Sequence, residues 1–322
     1  MIRTCRLTDT GGVRRAEGAG DAAEAIWIDL LEPTADEKKA VEAAVKAYLP
    51  TREEMVEIES SSRLYEENGA TYMTAAILNR ADTDQPESAV VTFALVDHKL
   101  ITIRYSDPQP FRIFANQVER RPASCASGEV CFFGLLEAIV DRLADILERA
   151  NLGVDGVSRE VFFHNGGTQP HARDFQATLV KVGRIGDLTS KARESLVSIA
   201  RLVAFFGHVP RKDPDRVTAT HLRTMQADVS SLSDHATFLS NKVSFLLDAI
   251  LGMLNIEQNA IIKIFSVAAV AFMPPTLIAS IYGMNFHFMP ELSTWLGYPL
   301  ALLAMAVSAL VPYLYFKRRG WL

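Results

Sequence analysis

Two uncharged apolar runs lie next to each other at the end of this chain, and they restrict its fold more than any other feature. Residues 264–282, IFSVAAVAFMPPTLIASIY, carry no charge. As a helix rising 1.5 Å per residue this run is roughly 28 Å long, close to the ~30 Å hydrocarbon thickness of a bilayer. A second uncharged stretch covers residues 292–316, with its most apolar part, LALLAMAVSALVPYLYF, beginning at Leu300. After Lys263 the charged residues are Glu291, Lys317, Arg318 and Arg319 alone. Two buried core helices would be the soluble alternative. Adjacent runs at a terminus, closed by a basic cluster, point instead to two membrane spans.

The basic flanks set an expected orientation. Lys263 precedes the first run and Lys317, Arg318 and Arg319 follow the second, whereas the loop between them has neither Lys nor Arg. The positive-inside rule then puts both ends in the cytoplasm and the loop outside. The first twenty residues, MIRTCRLTDTGGVRRAEGAG, lack the apolar core of a signal peptide. The expected location is therefore the inner or plasma membrane, multi-pass, with both termini cytoplasmic. Pro274 and Pro275 fall in the middle of the first span. There they should kink the helix and leave carbonyls that need other partners, so this span is not expected to face lipid all round.

The preceding residues read as a cytoplasmic part of mixed class. IWIDL, ATYMTAAIL, SAVVTFALVD and KLITIRY are β-rich runs bounded by turn residues. Between the first two, Thr51 and Glu54 stand at capping-box spacing after Pro50, which predicts a helix start. Beyond Phe111 the pattern becomes helical. Residues 133–151, FGLLEAIVDRLADILERAN, space their apolar side chains by three and four. Further amphipathic helices are expected at about 174–206 and from Val217 onward. Residues 228–282 then read as one helix of more than fifty residues, interrupted only by Gly252 and the two prolines. A helix that long needs partner helices, from the same chain or from other copies.

The domain division that follows is an α/β cytoplasmic domain at 1–130 and a cytoplasmic helical region at 131–227. A long stalk helix at 228–282 continues into the first span. An outer loop at 283–297, the second span at 298–317 and a basic tail at 318–322 complete the chain. The net charge of −5 and the absence of a basic stripe argue against nucleic acid as a partner. Cys5, Cys125 and Cys131 have no CxxC spacing and read as reduced thiols. No GxxxxGK[ST], HExxH or GxSxG occurs, so neither a nucleotide site nor a catalytic site is indicated, and the chain is not expected to be an enzyme.

One face of the long helix, followed at three- and four-residue spacing, reads Asp248, Gly252, Asn255, Asn259, Ile262, Ser266, Ala269, Met273, Thr276 and Ser280. At 100° per residue these positions fall within a sector of about 120°. The stripe is polar at both ends and mainly apolar between. Small residues of this kind serve helix packing in membranes, and the same stripe could equally line a pore. Two spans per chain cannot enclose a water-filled path, so a pore would need a symmetric ring of copies.

The loop YGMNFHFMPELSTWLGYP joins the two spans. Its Gly283-Met284-Asn285 resembles the GMN signature of the CorA family of magnesium transporters. The segments MPEL and GYP, the closing PYLYFKR with Trp321-Leu322, and the upstream IEQN and FMPPT are also similar to that family. LPTRE at 49–53 and SSRLY at 61–65 extend the likeness toward the N-terminus. The resemblance implies a funnel-shaped homopentameric channel in the bilayer, importing Mg²⁺, with Co²⁺ and Ni²⁺ as further cargo, down the membrane potential and gated by cytoplasmic Mg²⁺. Gly283, Met284 and Asn285 would form the ion-selective entrance. Thr276, Met273, Ile262, Asn259 and Asp248 would line the pore. Glu291 would attract cations to the outer loop. Asp228 and Asp234 are candidates for a regulatory metal site, a solvated helix face being the alternative.

Family members often carry Glu two residues after the motif Asn, where this chain has His287. That substitution leaves Glu291 as the outer carboxylate and puts strong cation concentration by the loop in question. A zinc transporter of the same superfamily is the nearest rival, but zinc favours Cys and His. Only His287 of the seven histidines lies in the loop, and HNGGTQPH at 164–171 reads as a turn. A membrane-anchored sensor is the rival from another class, and it would need neither the stripe nor the GMN loop.

Overall fold

The computed structural model describes residues 1–7, 12–57, 59–162, 172–209, 216–284, 289–290 and 294–321. The chain divides into two compact units. Met1–Gly166 with Thr178–Leu246 forms one, and Gly167–Ala177 with Leu247–Leu322 forms the other.

The first unit is built on a seven-stranded sheet. Its strands are β1 (Ile2–Leu7), β2 (Val13–Glu17), β3 (Trp27–Leu31), β4 (Leu64–Glu67), β5 (Ala70–Asn79), β6 (Glu87–Val96) and β7 (Lys99–Arg104). They lie in the order β2-β1-β3-β7-β6-β5-β4. Only β3 and β7 pair in parallel, with Trp27 opposite Leu100. The four runs read as strands in the sequence are β3, β5, β6 and β7. β1, β2 and β4 do not show in the sequence pattern, because IRTCRL, VRRAE and LYEE are short and interrupted by charged residues, which leaves little apolar alternation.

All ten residues of β5 are buried, which requires cover on both faces. Alternate side chains supply two separate cores. Met73, Ala75, Ile77, Val91, Phe93 and Leu95 join the core under the helices that follow the sheet. Tyr72, Ala94, Ile101 and Ile103 join a smaller core with Val41, Leu49 and Met55. Those last three come from α1 (Ala35–Val45), the turn after it and α2 (Arg52–Val56). Both helices begin with a complete capping box. Thr34 pairs with Glu37, and Thr51 pairs with Glu54 as the spacing predicts. A single turn, α3 (Ser60–Arg63), leads into β4.

On the larger core lie α4 (Gln109–Arg120), α5 (Gly128–Phe162), α6 (Ala172–His208) and the first part of α7 (Arg216–Tyr282). α5 and α6 run antiparallel: Phe132 meets Phe206 at 4.9 Å, and Lys181 binds Glu160 at 2.7 Å. α7 runs parallel to α5, since Phe133 faces His221, Lys242 pairs with Asp155 and Phe245 stacks on Phe162 at 5.9 Å. Gly128 opens α5 where a Cβ would come within 2.5 Å of the Lys99 carbonyl carbon, so only glycine lets the helix start this close to β7. The separate helix expected from Val217 is the beginning of α7 itself. No breaker stands between 217 and 228, and α7 runs unbroken from Arg216 through both prolines to Tyr282. Its serine-rich start is accommodated by hydroxyls of Ser233, Thr237 and Ser240 bonding back to carbonyls one turn earlier.

Cys5 of β1 meets Cys125 and Cys131, which lie six residues apart around the start of α5, in the core. All are free and buried, and the Cys125 and Cys131 sulfurs lie 2.6 Å apart. The hydrogen bond to Cys125, together with burial, pushes the Cys5 thiol well above the usual range. Such thiols are poor nucleophiles. The second unit contains the remainder of α7 and α8 (Gly297–Arg318).

Candidate ion-conduction path

Within the second unit, α7 and α8 are long and apolar enough to cross a membrane. Their apolar stretches are almost wholly uncovered. That exposure separates them from core helices of a soluble protein, whose apolar residues are mostly covered.

The stripe on α7 can now be placed. All ten of its residues, from Asp248 to Ser280, are exposed. Val267, 4% exposed, marks the side of the helix covered within the chain. At 100° per residue the centre of the stripe lies about 120° from Val267. Ile262 and Met273 are 53% and 69% exposed. Among the described residues, none covers this face, which leaves it open to other copies or to water.

Around the paired prolines the helix loses two backbone donors, which leaves the carbonyls of Val270 and Ala271 without their helical partners. Immediately after them the Thr276 hydroxyl donates to the Phe272 carbonyl at 2.8 Å. The stripe thus passes a stretch of α7 where two backbone oxygens lack their helical donors.

Gly283 ends α7. Its N–H donates to the Ala279 carbonyl at 2.9 Å, and a Cβ there would come within 3.1 Å of that same oxygen. Met284 follows, with its N–H on the Ile281 carbonyl. Asn285, His287 and Glu291 lie outside the described residues, so the expected entrance is described only at Gly283 and Met284. The HNGGTQPH segment lies outside them as well.

In the first unit, Asp228 and Asp234 are both exposed on α7. Asp228 is close enough to α5 to act on Asp141. Desolvation first, then the charges of Asp145 and Asp228, hold the Asp141 carboxyl above the usual carboxylate range. Asp234 takes no part in that grouping. Sequence reading missed Asp141 and Asp145, whose i,i+4 spacing on α5 looks like an ordinary solvated face until α7 is packed beside it. Among the described residues, no three Asp, Glu, His or Cys side chains are arranged to hold a metal ion.

A model of the family described as CorA-like Mg²⁺ transporter protein matches residues 22–318. This chain belongs to that family. It is 35% identical to the magnesium transport protein CorA of Haemophilus influenzae, over the full length of both. With the Escherichia coli magnesium transport protein CorA it shares 34% identity over 92% of each chain. Among solved structures, the complete CorA magnesium transporter of Methanocaldococcus jannaschii superposes with a TM-score of 0.78 at 15% identity, covering 100% of this chain and 99% of that one. Full-length CmaX gives 0.70 at 13% identity, covering 99% and 97%. The α/β unit, the long helix and two C-terminal apolar helices are thus the CorA fold.

Proposed function

We propose that this chain moves Mg²⁺ across a membrane through a pore built by a ring of identical copies, with α7 as the lining helix. The observation that carries this reading is the fully exposed stripe on a membrane-length helix of a CorA-family chain. Stripe residues from five copies would face one axis, with Asn259 and Asp248 toward the cytoplasmic end and Thr276 toward the outer end. Co²⁺ and Ni²⁺ are further cargo for the same path. The zinc reading is less favoured, because the stripe offers oxygen and thioether atoms but neither thiolate nor imidazole.

The chemistry suits a hydrated ion. Mg²⁺ releases its waters reluctantly, and amide and carbonyl oxygens accept hydrogen bonds from those waters without stripping them. Asn285, next to Gly283 and Met284, would supply that ring at the entrance, with Glu291 raising the local cation concentration. Ile262 and Met273 would form an apolar constriction that closes by dewetting. The driving force comes from the membrane potential: a divalent ion crossing 100 mV gains about 4.6 kcal/mol. Both termini would be cytoplasmic, following the basic flanks of the spans. Asp228 is the proposed regulatory position, where cytoplasmic Mg²⁺ would keep most of its waters, be held through one or two carboxylates rather than a full cage, and hold the pore closed; the negative charge that Asp145 and Asp228 place on Asp141 supports this reading. Asp234 remains a candidate on the same helix.

The test is flux. Protein reconstituted in liposomes loaded with a Mg²⁺-sensitive dye, under an inside-negative potential, should admit Mg²⁺, and Asn285→Ala should abolish most of that influx. Zn²⁺ flux driven by a proton gradient, with no Mg²⁺ influx, would replace this reading with the zinc one.

A further inference from the structure

The last residues of the chain form a hook whose geometry the transport reading does not use. α8 ends in a Schellman turn: the Trp321 N–H donates to the Phe316 carbonyl at 3.1 Å and the Gly320 N–H to the Lys317 carbonyl at 3.2 Å. Gly320 makes this possible with φ at +71°, a conformation other residues adopt only with strain. The turn folds Trp321 back onto Phe316, with ring centroids 5.1 Å apart. It also brings the indole to the other span, where the Lys263 ammonium lies 6.0 Å from the ring centroid. Arg319 meanwhile lies 5.6 Å over the ring of Tyr315.

The result is a cluster of four cations, Lys263, Lys317, Arg318 and Arg319, drawn from both apolar helices to one end. All four are exposed, and among the described residues none has a carboxylate within ion-pair distance. Trp and Tyr beside them are the side chains that settle at the headgroup level of a bilayer. Cations without a carboxylate partner among the described residues, directly beside uncovered apolar helices, call for a counter-charge that is itself attached to hydrocarbon. We infer that this hook binds the headgroup of an anionic phospholipid, with Lys263 and Trp321 clamping it between the two spans and Lys317, Arg318 and Arg319 meeting the phosphate. The inference rests on the proposal that α7 and α8 span the membrane.

The experiment offers the full-length protein, purified in detergent, an equimolar mixture of phosphatidylglycerol and phosphatidylcholine with identical acyl chains. Native mass spectrometry then reads the ratio retained. The wild type should retain phosphatidylglycerol in clear excess. Replacing Lys317, Arg318 and Arg319 by Gln should lower that excess by about five-fold for each cation removed. Gly320→Ala, which keeps every charge but strains the turn, should lower it as well, and this separates a shaped site from general positive charge. Equal retention of the two lipids by the wild type, or an excess unchanged in the triple variant, would overturn the site. An excess unchanged in Gly320→Ala would overturn the role of the hook. Mg²⁺ influx measured on the same preparations keeps the two readings apart: lipid preference without influx removes transport alone, and influx without lipid preference removes the headgroup site alone.

Discussion

Ile262 and Val267 sit little more than one turn apart on α7 and face different surroundings: Val267 is 4% exposed and Ile262 is 53% exposed. One helix therefore presents a side covered within its own chain and a side left open, and the open side is the stripe. The first prediction concerns the apolar middle of that stripe. If Ile262 and Met273 close the path by dewetting, a polar side chain there should wet it. Ile262→Asn or Met273→Ser should raise Mg²⁺ influx into liposomes on the order of ten-fold, equal to lowering the barrier by ~1.4 kcal/mol. An influx that falls or stays level would remove the hydrophobic gate.

The ion pair between Asp29 and Arg104 should dominate the stability of the first unit. Arg104 is completely buried. Its Nε and a terminal nitrogen donate to the two Asp29 oxygens at 2.9 and 2.8 Å, and its guanidinium lies 4.5 Å over Phe111. Thr102 donates to Asp29 and accepts from the Trp27 indole. Removing one partner leaves a buried charge, so Arg104→Met alone should cost about 3–5 kcal/mol. Asp29→Leu with Arg104→Met should cost much less. Chemical denaturation of the three proteins compares these values, and equal losses in the single and double variants would show that the unpaired charge is not the cause.

Asp141 should link stability to pH and, if the regulatory reading holds, to Mg²⁺. Its carboxyl is held above the usual range, so the folded protein takes up this proton more readily than the unfolded chain. The contribution is present below the ordinary carboxylate range and is lost as pH rises through the raised value. At neutral pH the charge is therefore unfavourable. Asp141→Asn should raise the melting temperature slightly in the absence of Mg²⁺, and added Mg²⁺ should stabilise the wild type more than the variant. Equal Mg²⁺ stabilisation of both would move the regulatory ion elsewhere.

Much of this was legible in the sequence, and what was not had a physical reason. The two long apolar helices, the capping box at Thr51 and the periodic face of α7 follow from local spacing and appear in the structure. Strand β4 did not, because LYEE has no alternation until Leu64 is paired with Met73 of β5. The Asp29–Arg104 pair and the meeting of Cys5 with Cys125 and Cys131 depend on contacts between distant segments, which spacing within a segment cannot report. For the same reason Asp228 was found as a single carboxylate and its neighbours on α5 were not. The exposure of the stripe needed the structure too, since a periodic pattern identifies a face without saying what covers it.

The most direct test of the central claim is to modify that face during transport. The three native cysteines are buried, so an introduced thiol is the accessible one. Met273→Cys lies on the stripe. Ile264→Cys, at a position 56% exposed in the chain, lies on the opposite side of α7 at 100° per residue. With both variants conducting Mg²⁺ in liposomes, a small cationic thiol reagent should block influx through Met273→Cys and leave Ile264→Cys unaffected. Block at Ile264→Cys with none at Met273→Cys would contradict the account and turn the stripe into a packing face.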